Sequence, residues 1–254
     1  SLKEQLTTMG ELCEVAITKA TEAILEGKEE QAREVILADE EIDQAEKDIE
    51  RLCLRLLLQQ QPVAKDLRQI SAALKMITDM ERIGDQASDI AEILLSTDLK
   101  VEKNNKDIGV MAQAAAKMVR ESVRAYVEQN MMLAKKVMTA DDEVDRLFDK
   151  IRQEIIDYIA KEGGDGGEAA VDLIMVAKYL ERIGDHATNI AEYADEMKKW
   201  ELKFSDNVLG ELEEMKKQCL SFLDNIRDVD PKDAEKVLAQ AVVLEQQTDD
   251  MRDK

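Results

Sequence analysis

The chain has 254 residues, of which 44% are apolar and 3% aromatic, and it contains two prolines. This length can bury a sizeable core in one large domain or two smaller ones, and the apolar fraction excludes a disordered chain. The formal net charge of −21 disfavours nucleic acid and anionic lipid as direct partners, because both are themselves anionic.

Cysteine usage and hydropathy both predict a cytoplasmic protein. Cys13, Cys53 and Cys219 are an odd number, lie far apart and have apolar neighbours, so we expect them to be reduced core residues. No apolar run approaches the roughly 18 residues of a membrane span, and no signal peptide is visible. We therefore expect no direct membrane insertion.

Abundant Ala, Leu, Glu, Lys and Met predict an all-α fold with long helices. Taken in chain order, the plausible breaks are Gly27, 61–62, 97–98, 104–105, 163–167, 205–206 and 228–231. They separate helical segments of about 20 to 35 residues. Asp206 and Asp230 are predicted N-caps, the second with Pro231 at the first helical position.

An internal repeat organises these segments. ERIGDQASDIAE at 81–92 and ERIGDHATNIAE at 181–192 agree at nine of twelve positions, and ADEEID at 38–43 returns as ADDEVD at 140–145. The period of about 100 residues fits a duplicated three-helix unit. We predict tandem three-helix bundles at 1–98 and 104–200, followed by a C-terminal helical pair at 205–254 that begins a possible third unit.

Apolar residues recur at steps of three and four along the second and third helices of these units. The seam of the first unit's second helix is Val35, Asp39, Ile42, Ala45, Ile49, Leu52 and Leu56. The seam of the second unit's second helix is Val137, Asp141, Val144, Phe148, Ile151, Ile155 and Tyr158. The seam of the first unit's third helix is Met76, Met80, Ile83, Ala87, Ile90 and Leu94. Each second helix thus has one aspartate in its apolar seam.

A carboxylate in an apolar seam is costly unless it is compensated. Asp39 and Asp141 are each followed four residues later by another acid, at a spacing where like charges repel. The third helices also have acidic residues at helical spacing. In the first unit these positions are Glu81, Asp85, Asp89 and Glu92, and in the second unit they are Glu181, Asp185, Asn189 and Glu192. Each unit therefore brings two acidic pairs to the edge of a helix–helix contact.

A bound cation resolves such clustering, and oxygen ligands suit Mg²⁺, Ca²⁺, Mn²⁺ or iron. For a single acidic pair, a solvated acidic face paired with arginine is the simpler interpretation, but four repeat-equivalent pairs favour metal. The predicted ligands are Asp39, Asp43, Glu81, Asp85, Asp89, Asp141, Asp145, Glu181 and Asp185. We expect divalent or ferric ions, with iron, manganese, magnesium and zinc as candidates. Gly84 and Gly184 would allow close backbone approach, and Arg82 and Arg182 would neutralise neighbouring acids.

The sequence offers no catalytic motif. It has no Ser/His/Asp arrangement and no P-loop, and a single histidine cannot supply the two Glu-x-x-His motifs of a di-iron oxidase. That histidine, His186, aligns with Gln86 of the first unit, so we expect it to be capped or exposed rather than a ligand. No enzymatic activity is expected.

At these motifs the sequence resembles the PhoU family over about residues 4–195, including MGELCEVAI at 9–17, QQPVAKDLR at 60–68 and the twice-present ERIGD-x-A-x-x-IAE signature. The resemblance implies two three-helix bundles related by pseudo-twofold symmetry. It also implies metal clusters held by (E/D)xxxD motifs, here Asp39, Asp43, Glu81 and Asp85, then Asp141, Asp145, Glu181 and Asp185. It also implies negative control of phosphate uptake and phosphate-starvation signalling, through contact with a phosphate ABC transporter ATPase and a sensor histidine kinase. A homodimer is expected.

The C-terminal segment keeps two other hypotheses open. Residues 205–254, with a further acidic pair at Glu245 and Asp249, extend beyond the usual PhoU pattern and resemble PhoU-like domains of sodium–phosphate cotransporters. The chain would then be the cytoplasmic regulatory tail of such a transporter. The third hypothesis is a helical scaffold that binds no metal.

Overall fold

A computed structural model describes residues 1–60, 64–97, 106–162 and 167–227 of the chain. The helices in these ranges are α1 (Leu2–Glu26), α2 (Glu29–Gln60), α3 (Ala64–Ser96), α4 (Lys106–Glu128), α5 (Met131–Glu162) and α6 (Gly167–Arg227). The all-α prediction is confirmed. Among these described helices, none is long and apolar enough to cross a membrane.

Local sequence signals set both ends of α1. Ser1 and Glu4 form a reciprocal capping box, in which the Glu4 N–H donates to Ser1 Oγ at 3.4 Å. Gly27 adopts the left-handed conformation with φ 67°, which ends the helix as the sequence predicted.

The equivalent turn between α4 and α5 was not among the predicted breaks. Gln129 takes the left-handed conformation with φ 53°, and Asn130 Oδ1 accepts a hydrogen bond from the Leu133 N–H at 3.1 Å. The turn contains neither glycine nor proline, so its only local signal is the capping asparagine.

The helices form two three-helix bundles that run antiparallel to each other. α1 packs against α2 and α3, and it also contacts α4, which packs on α5. Along the α1–α4 contact, Gly10 meets Val123 and Gly109 faces Leu25, so the sequence numbers run in opposite directions. Because the bundles are antiparallel, the C-terminal ends of α2 and α5 lie at opposite ends of the pair.

The buried core largely follows the predicted seams. All six seam residues of α3 are buried, as are Val35, Ile42 and Ile49 of α2. Tyr158 is instead 45% exposed, so its placement in the α5 seam was wrong. Cys13 and Cys53 are buried free thiols, as expected, whereas the side chain of Cys219 is not among those described.

The predicted helix start at Asp206 is wrong. α6 continues without a break from Gly167 to Arg227, through residues 205–206. Serine and aspartate lower helix propensity only modestly, and no glycine or proline accompanies them there. By internal contacts the chain divides into two compact units, Ser1–Lys198 and Lys199–Lys254. The predicted N-cap at Asp230 and the acidic pair Glu245 and Asp249 lie outside the described residues, so the C-terminal helical pair stays a prediction.

Candidate metal-binding clusters

Each acidic cluster is built where a glycine lets two helices approach closely. A Cβ added to Gly84 of α3 would lie 2.8 Å from Asp39 Oδ1 and 3.0 Å from Ile42 Cδ1 on α2. A Cβ added to Gly184 of α6 would lie 3.3 Å from both Asp141 Oδ1 and Val144 Cγ1 on α5. The close approach expected at both glycines is therefore present, and it is tighter in the first bundle.

Asp39 and Asp141 each turn one carboxylate oxygen into the protein. Asp39 Oδ1 and Asp141 Oδ1 are buried and have no hydrogen-bond partner. Burial, followed by repulsion from Asp85 and Asp43, raises the pKa of Asp39 to about 6. Burial and the neighbouring acids Asp145 and Asp185 raise the pKa of Asp141 to about 6 as well. The fold thus holds the Asp39 and Asp141 carboxyl groups where burial and neighbouring negative charge disfavour their ionised form.

The first cluster gathers acids from α2 and α3. Burial first, and then neighbouring carboxylates, raise the pKa of Glu81, Asp85 and Asp89. Arg82 lowers the pKa of Glu81 and of Asp85, as expected of a neutralising arginine. Arg182 instead lowers the pKa of Asp89 in the first bundle. Asp43 pairs with Lys47 at 3.6 Å.

Glu46 also belongs to this first cluster, although sequence reasoning did not include it. Its pKa is raised by burial and then by Asp43. The signal was present in the spacing, because Glu46 follows Asp39 and Asp43 by seven and three residues on one helical face.

The second cluster contains its own cation. The Lys178 ammonium forms an ion pair with Glu181 and lies 5.3 Å from the centre of the Phe148 ring. Burial and the Glu181 charge raise the pKa of Asp145 and Asp185, and Lys178 partly offsets this. At the positions equivalent to Lys178 and Phe148, the first unit has Thr78 and Glu46. The two clusters therefore differ in charge as well as in packing.

These residues fit a hard cation by donor chemistry. The acids of each cluster supply carboxylate oxygens, one of which is buried without a hydrogen-bond partner. In the second cluster the Thr188 hydroxyl also interacts with Asp141 and lowers its pKa. Within the described residues, no three His, Cys, Asp or Glu side chains are already grouped so as to hold a metal ion. Mutual repulsion favours such separated side-chain positions, and ligation would require rotamer changes in exposed acids such as Asp85 and Asp185.

A different buried cluster joins the two bundles. Asp79 of α3 is 4% exposed and accepts hydrogen bonds from Asn189 Nδ2 at 3.1 Å and Tyr193 Oη at 3.0 Å, both on α6. His186 Nδ1 lies 2.8 Å from Asp79 Oδ1. Burial alone would raise the pKa of Asp79, but the bonds to His186, Asn189 and Tyr193 bring it below its usual value.

This interbundle cluster defines the role of the single histidine. Of the two expected alternatives, capped or exposed, the structure shows the first, because His186 is bonded to Asp79 and is largely buried. A second contact between α3 and α6 uses different residues. There Asp89 of α3 faces Tyr179 and Arg182 of α6. Sequence reasoning missed Asp79 because the contact joins residues 107 positions apart and depends on how the two bundles pack.

Two antiparallel three-helix bundles with duplicated carboxylate clusters define an all-helical protein of repeated architecture. Comparison with known families gives the same architecture a name, because the PhoU domain matches the chain twice, at residues 6–94 and 108–194. The chain therefore belongs to the PhoU family.

The relatives it resembles are accessory proteins of phosphate transport. A phosphate-specific transport system accessory protein PhoU homolog from Aquifex aeolicus is 41% identical over 182 residues, which is 71% of this chain and 81% of the relative. The homolog from Clostridium acetobutylicum is 37% identical over 75% of this chain and 88% of the relative. Crystallised PhoU from Pseudomonas aeruginosa superposes with a TM-score of 0.73 at 31% identity, covering 78% of this chain and 95% of that structure.

Proposed function

We propose that this protein is a metal-binding, non-enzymatic regulator of phosphate transport and phosphate-starvation signalling. It acts in the cytoplasm as a negative regulator, as a homodimer, through contact with a phosphate ABC transporter ATPase and a sensor histidine kinase. Family membership and the names of the matched accessory proteins support the transport role. The names of the matched relatives favour this function over the cotransporter-tail hypothesis, whereas the thermal unfolding experiment distinguishes it from the metal-free hypothesis.

The paired buried oxygens of Asp39 and Asp141 carry the metal proposal. A buried, unpartnered carboxylate oxygen is costly, and the same cost recurs at equivalent positions of two bundles. Cation binding would offset that cost and the repulsion from Asp43, Asp85, Asp145 and Asp185. When bound, a hard cation would supply charge neutralisation that links the second and third helices of each bundle.

Thermal unfolding of chelator-treated protein tests the metal proposal. Added Mn²⁺, Mg²⁺ or Fe³⁺ should raise the melting temperature, because a ligand that binds only the folded state stabilises it by mass action. Replacing Glu81→Ala and Asp85→Asn should remove the first bundle's share of this increase, and Glu181→Ala with Asp185→Asn should remove the second's.

The matched control changes acids outside the clusters. Asp48 and Asp149 are ion-paired with Arg51 and Arg152 on their own helices, so Asp48→Asn and Asp149→Asn should leave the metal response intact. A melting temperature that none of the three ions changes would contradict the metal proposal.

The regulatory part needs a separate test. Deleting the coding gene in the source organism should leave the phosphate-starvation response active in phosphate-rich medium, and wild-type protein should restore repression. Pull-down from the same cells should recover the transporter ATPase and the sensor kinase. Normal repression in the deletion strain would contradict negative regulation, whatever the metal result.

A further inference from the structure

The outer face of the second bundle is apolar beside its acidic cluster. Residues at steps of three and four share one face of a helix. On α5 this spacing joins Asp145, Phe148, Arg152 and Ile156, and on α6 it joins Glu181, Lys178, Ile174 and Val171. The Lys178 ammonium lies 5.3 Å from the centre of the Phe148 ring, so the two faces meet. Beyond this contact both faces change from acidic to apolar.

Several apolar side chains on these faces are in contact with solvent. Ile156 is 48% exposed, Val171 is 55% exposed, and Met175, one turn along α6 from Val171, is 40% exposed. We call Phe148, Ile156, Val171, Ile174 and Met175 the apolar stripe. A single exposed apolar residue is ordinary, whereas several on two packed helices are typical of an interaction surface.

The first bundle has polar residues at three of the five equivalent positions. Phe148, Val171 and Met175 correspond to Glu46, Ser71 and Lys75, whereas Ile156 and Ile174 keep the apolar counterparts Leu54 and Leu74. Lys75 also lies 5.6 Å from the centre of the Tyr193 ring on α6, so it has a contact of its own. The same bundle packing thus tolerates polar residues at these positions, and packing alone does not explain the stripe.

Negative charge surrounds the apolar stripe. Asp157 on α5 and Glu168 on α6 are both exposed beside it. The two cations on its faces are already ion-paired, Arg152 with Asp149 at 2.9 Å and Lys178 with Glu181. The rim is therefore acidic, and it continues into the acidic cluster of the same bundle.

From the apolar centre and its acidic rim we infer that the stripe docks an amphipathic helix of a partner protein. That helix has apolar residues on one face and lysine or arginine beside them, because such a helix complements both features. A second copy of this chain fits less well, since it would bring an acidic rim against an acidic rim in a chain of net charge −21. Anionic lipid is repelled for the same reason.

This inference rests on the proposed function only in that a regulator acts through protein contact. It assigns that contact to the second bundle and gives the chemistry of the partner segment. The homodimer of the proposed function would use another surface.

A synthetic peptide provides the probe. It has about 18 residues, or five helical turns, with leucine at steps of three and four and lysine beside it. Fluorescence anisotropy should show that it binds the full chain, and binding should weaken about tenfold between low and high salt. A scrambled peptide of the same composition has the same charge but no apolar face, and it should bind at least about tenfold more weakly.

Paired substitutions locate the contact. Ile156→Ser with Val171→Ser should weaken peptide binding about tenfold or more, and so should Asp157→Lys with Glu168→Lys. Val15→Ser with Val110→Ser changes two apolar residues of similar exposure on α1 and α4, and it should have no effect. Glu11→Lys with Glu30→Lys matches the charge change on exposed residues of α1 and α2 and should change binding less than about twofold. Circular dichroism of each variant confirms that the helices are retained.

The outcomes distinguish this inference from the proposed function. Equal binding of the helical and scrambled peptides, or equal effects of the stripe and control variants, would overturn the inference. So would a dimer of the wild-type chain that the Ile156→Ser and Val171→Ser variant dissociates, because a second copy would then occupy the stripe. Wild-type binding to phosphatidylglycerol vesicles that the same variant abolishes would overturn it as well. Failure of the proposed function appears separately, as normal repression in the deletion strain.

Discussion

Gly84 of α3 lies so close to Asp39 of α2 that a methyl group added to it would come within 2.8 Å of Asp39 Oδ1. Two side-chain atoms of Ile42, Cδ1 and Cγ2, would lie 3.0 and 3.1 Å from the same added carbon. At Gly184 the nearest atoms are 3.3 Å away, which a small shift can accommodate. The two glycines are equivalent in sequence but not in the space around them.

Alanine substitution should therefore separate the two glycines. Gly84→Ala should lower the free energy of unfolding by about 1–3 kcal/mol, because overpacking outweighs the gain in helix propensity. Gly184→Ala should change it by less than about 1 kcal/mol, since the two terms nearly cancel. Urea unfolding measures both variants. Equal destabilisation would mean that α2 and α3 can move apart as easily as α5 and α6.

The sequence predicted the helices and the placement of acidic pairs on them because both depend on local periodicity, whereas metal ligation by those acids stays a prediction. The α3 seam and the pairs at 39–43 and 81–85 follow from 3.6-residue spacing and duplication. The Gln129–Asn130 turn was missed because it lacks glycine and proline. The Asp79 cluster was missed because it depends on antiparallel packing between bundles, which no local pattern encodes.

Stability of the metal-free protein should fall as pH rises toward neutrality. The pKa of Asp39 and of Asp141 is about 6 in the folded chain and near 4 when unfolded. Between these values the folded state binds more protons, so the free energy of unfolding decreases with pH. Urea midpoints of chelator-treated protein at about pH 5 and about pH 7 measure the difference.

Asparagine variants assign this pH dependence. Asp39→Asn with Asp141→Asn should reduce the difference between the two urea midpoints, because neither amide titrates. Asp48→Asn should leave the difference unchanged, since Asp48 is an exposed residue ion-paired with Arg51. If the cluster variant keeps the full difference, the pH dependence has its origin elsewhere.

The buried Asp79 should be important for the contact between the two bundles. Asp79→Ala leaves His186, Asn189 and Tyr193 without their shared acceptor and should cost about 3 kcal/mol of unfolding free energy. Tyr193→Phe removes a single bond to the carboxylate and should cost about 1–2 kcal/mol. Thermal or urea unfolding measures both.

Tyr158→Phe is the matched control for the Asp79 cluster. Tyr158 is 45% exposed, and losing its hydroxyl should change stability by less than about 0.5 kcal/mol. A Tyr193→Phe effect as small as the control's would show that Tyr193 does not stabilise the interbundle cluster.

Lys178 should weaken metal binding in the second cluster. Its ammonium group forms an ion pair with Glu181 and lies over the Phe148 ring. A metal ion that binds to Glu181 must therefore displace this ammonium group, or it is repelled by its positive charge. Lys178→Thr, which installs the residue found at position 78, should tighten Mn²⁺ binding about three- to tenfold. Isothermal titration in the Glu81→Ala, Asp85→Asn background reports on the second cluster alone.

The reciprocal substitution gives the decisive comparison. Thr78→Lys should weaken Mn²⁺ binding to the first cluster, measured with Glu181→Ala and Asp185→Asn in place. Lys150→Thr serves as the control, because Lys150 pairs with Asp107 on α4 at 2.7 Å rather than with a cluster acid. Unchanged or weaker Mn²⁺ binding in Lys178→Thr would show that the Lys178 charge does not oppose the ion in the second cluster.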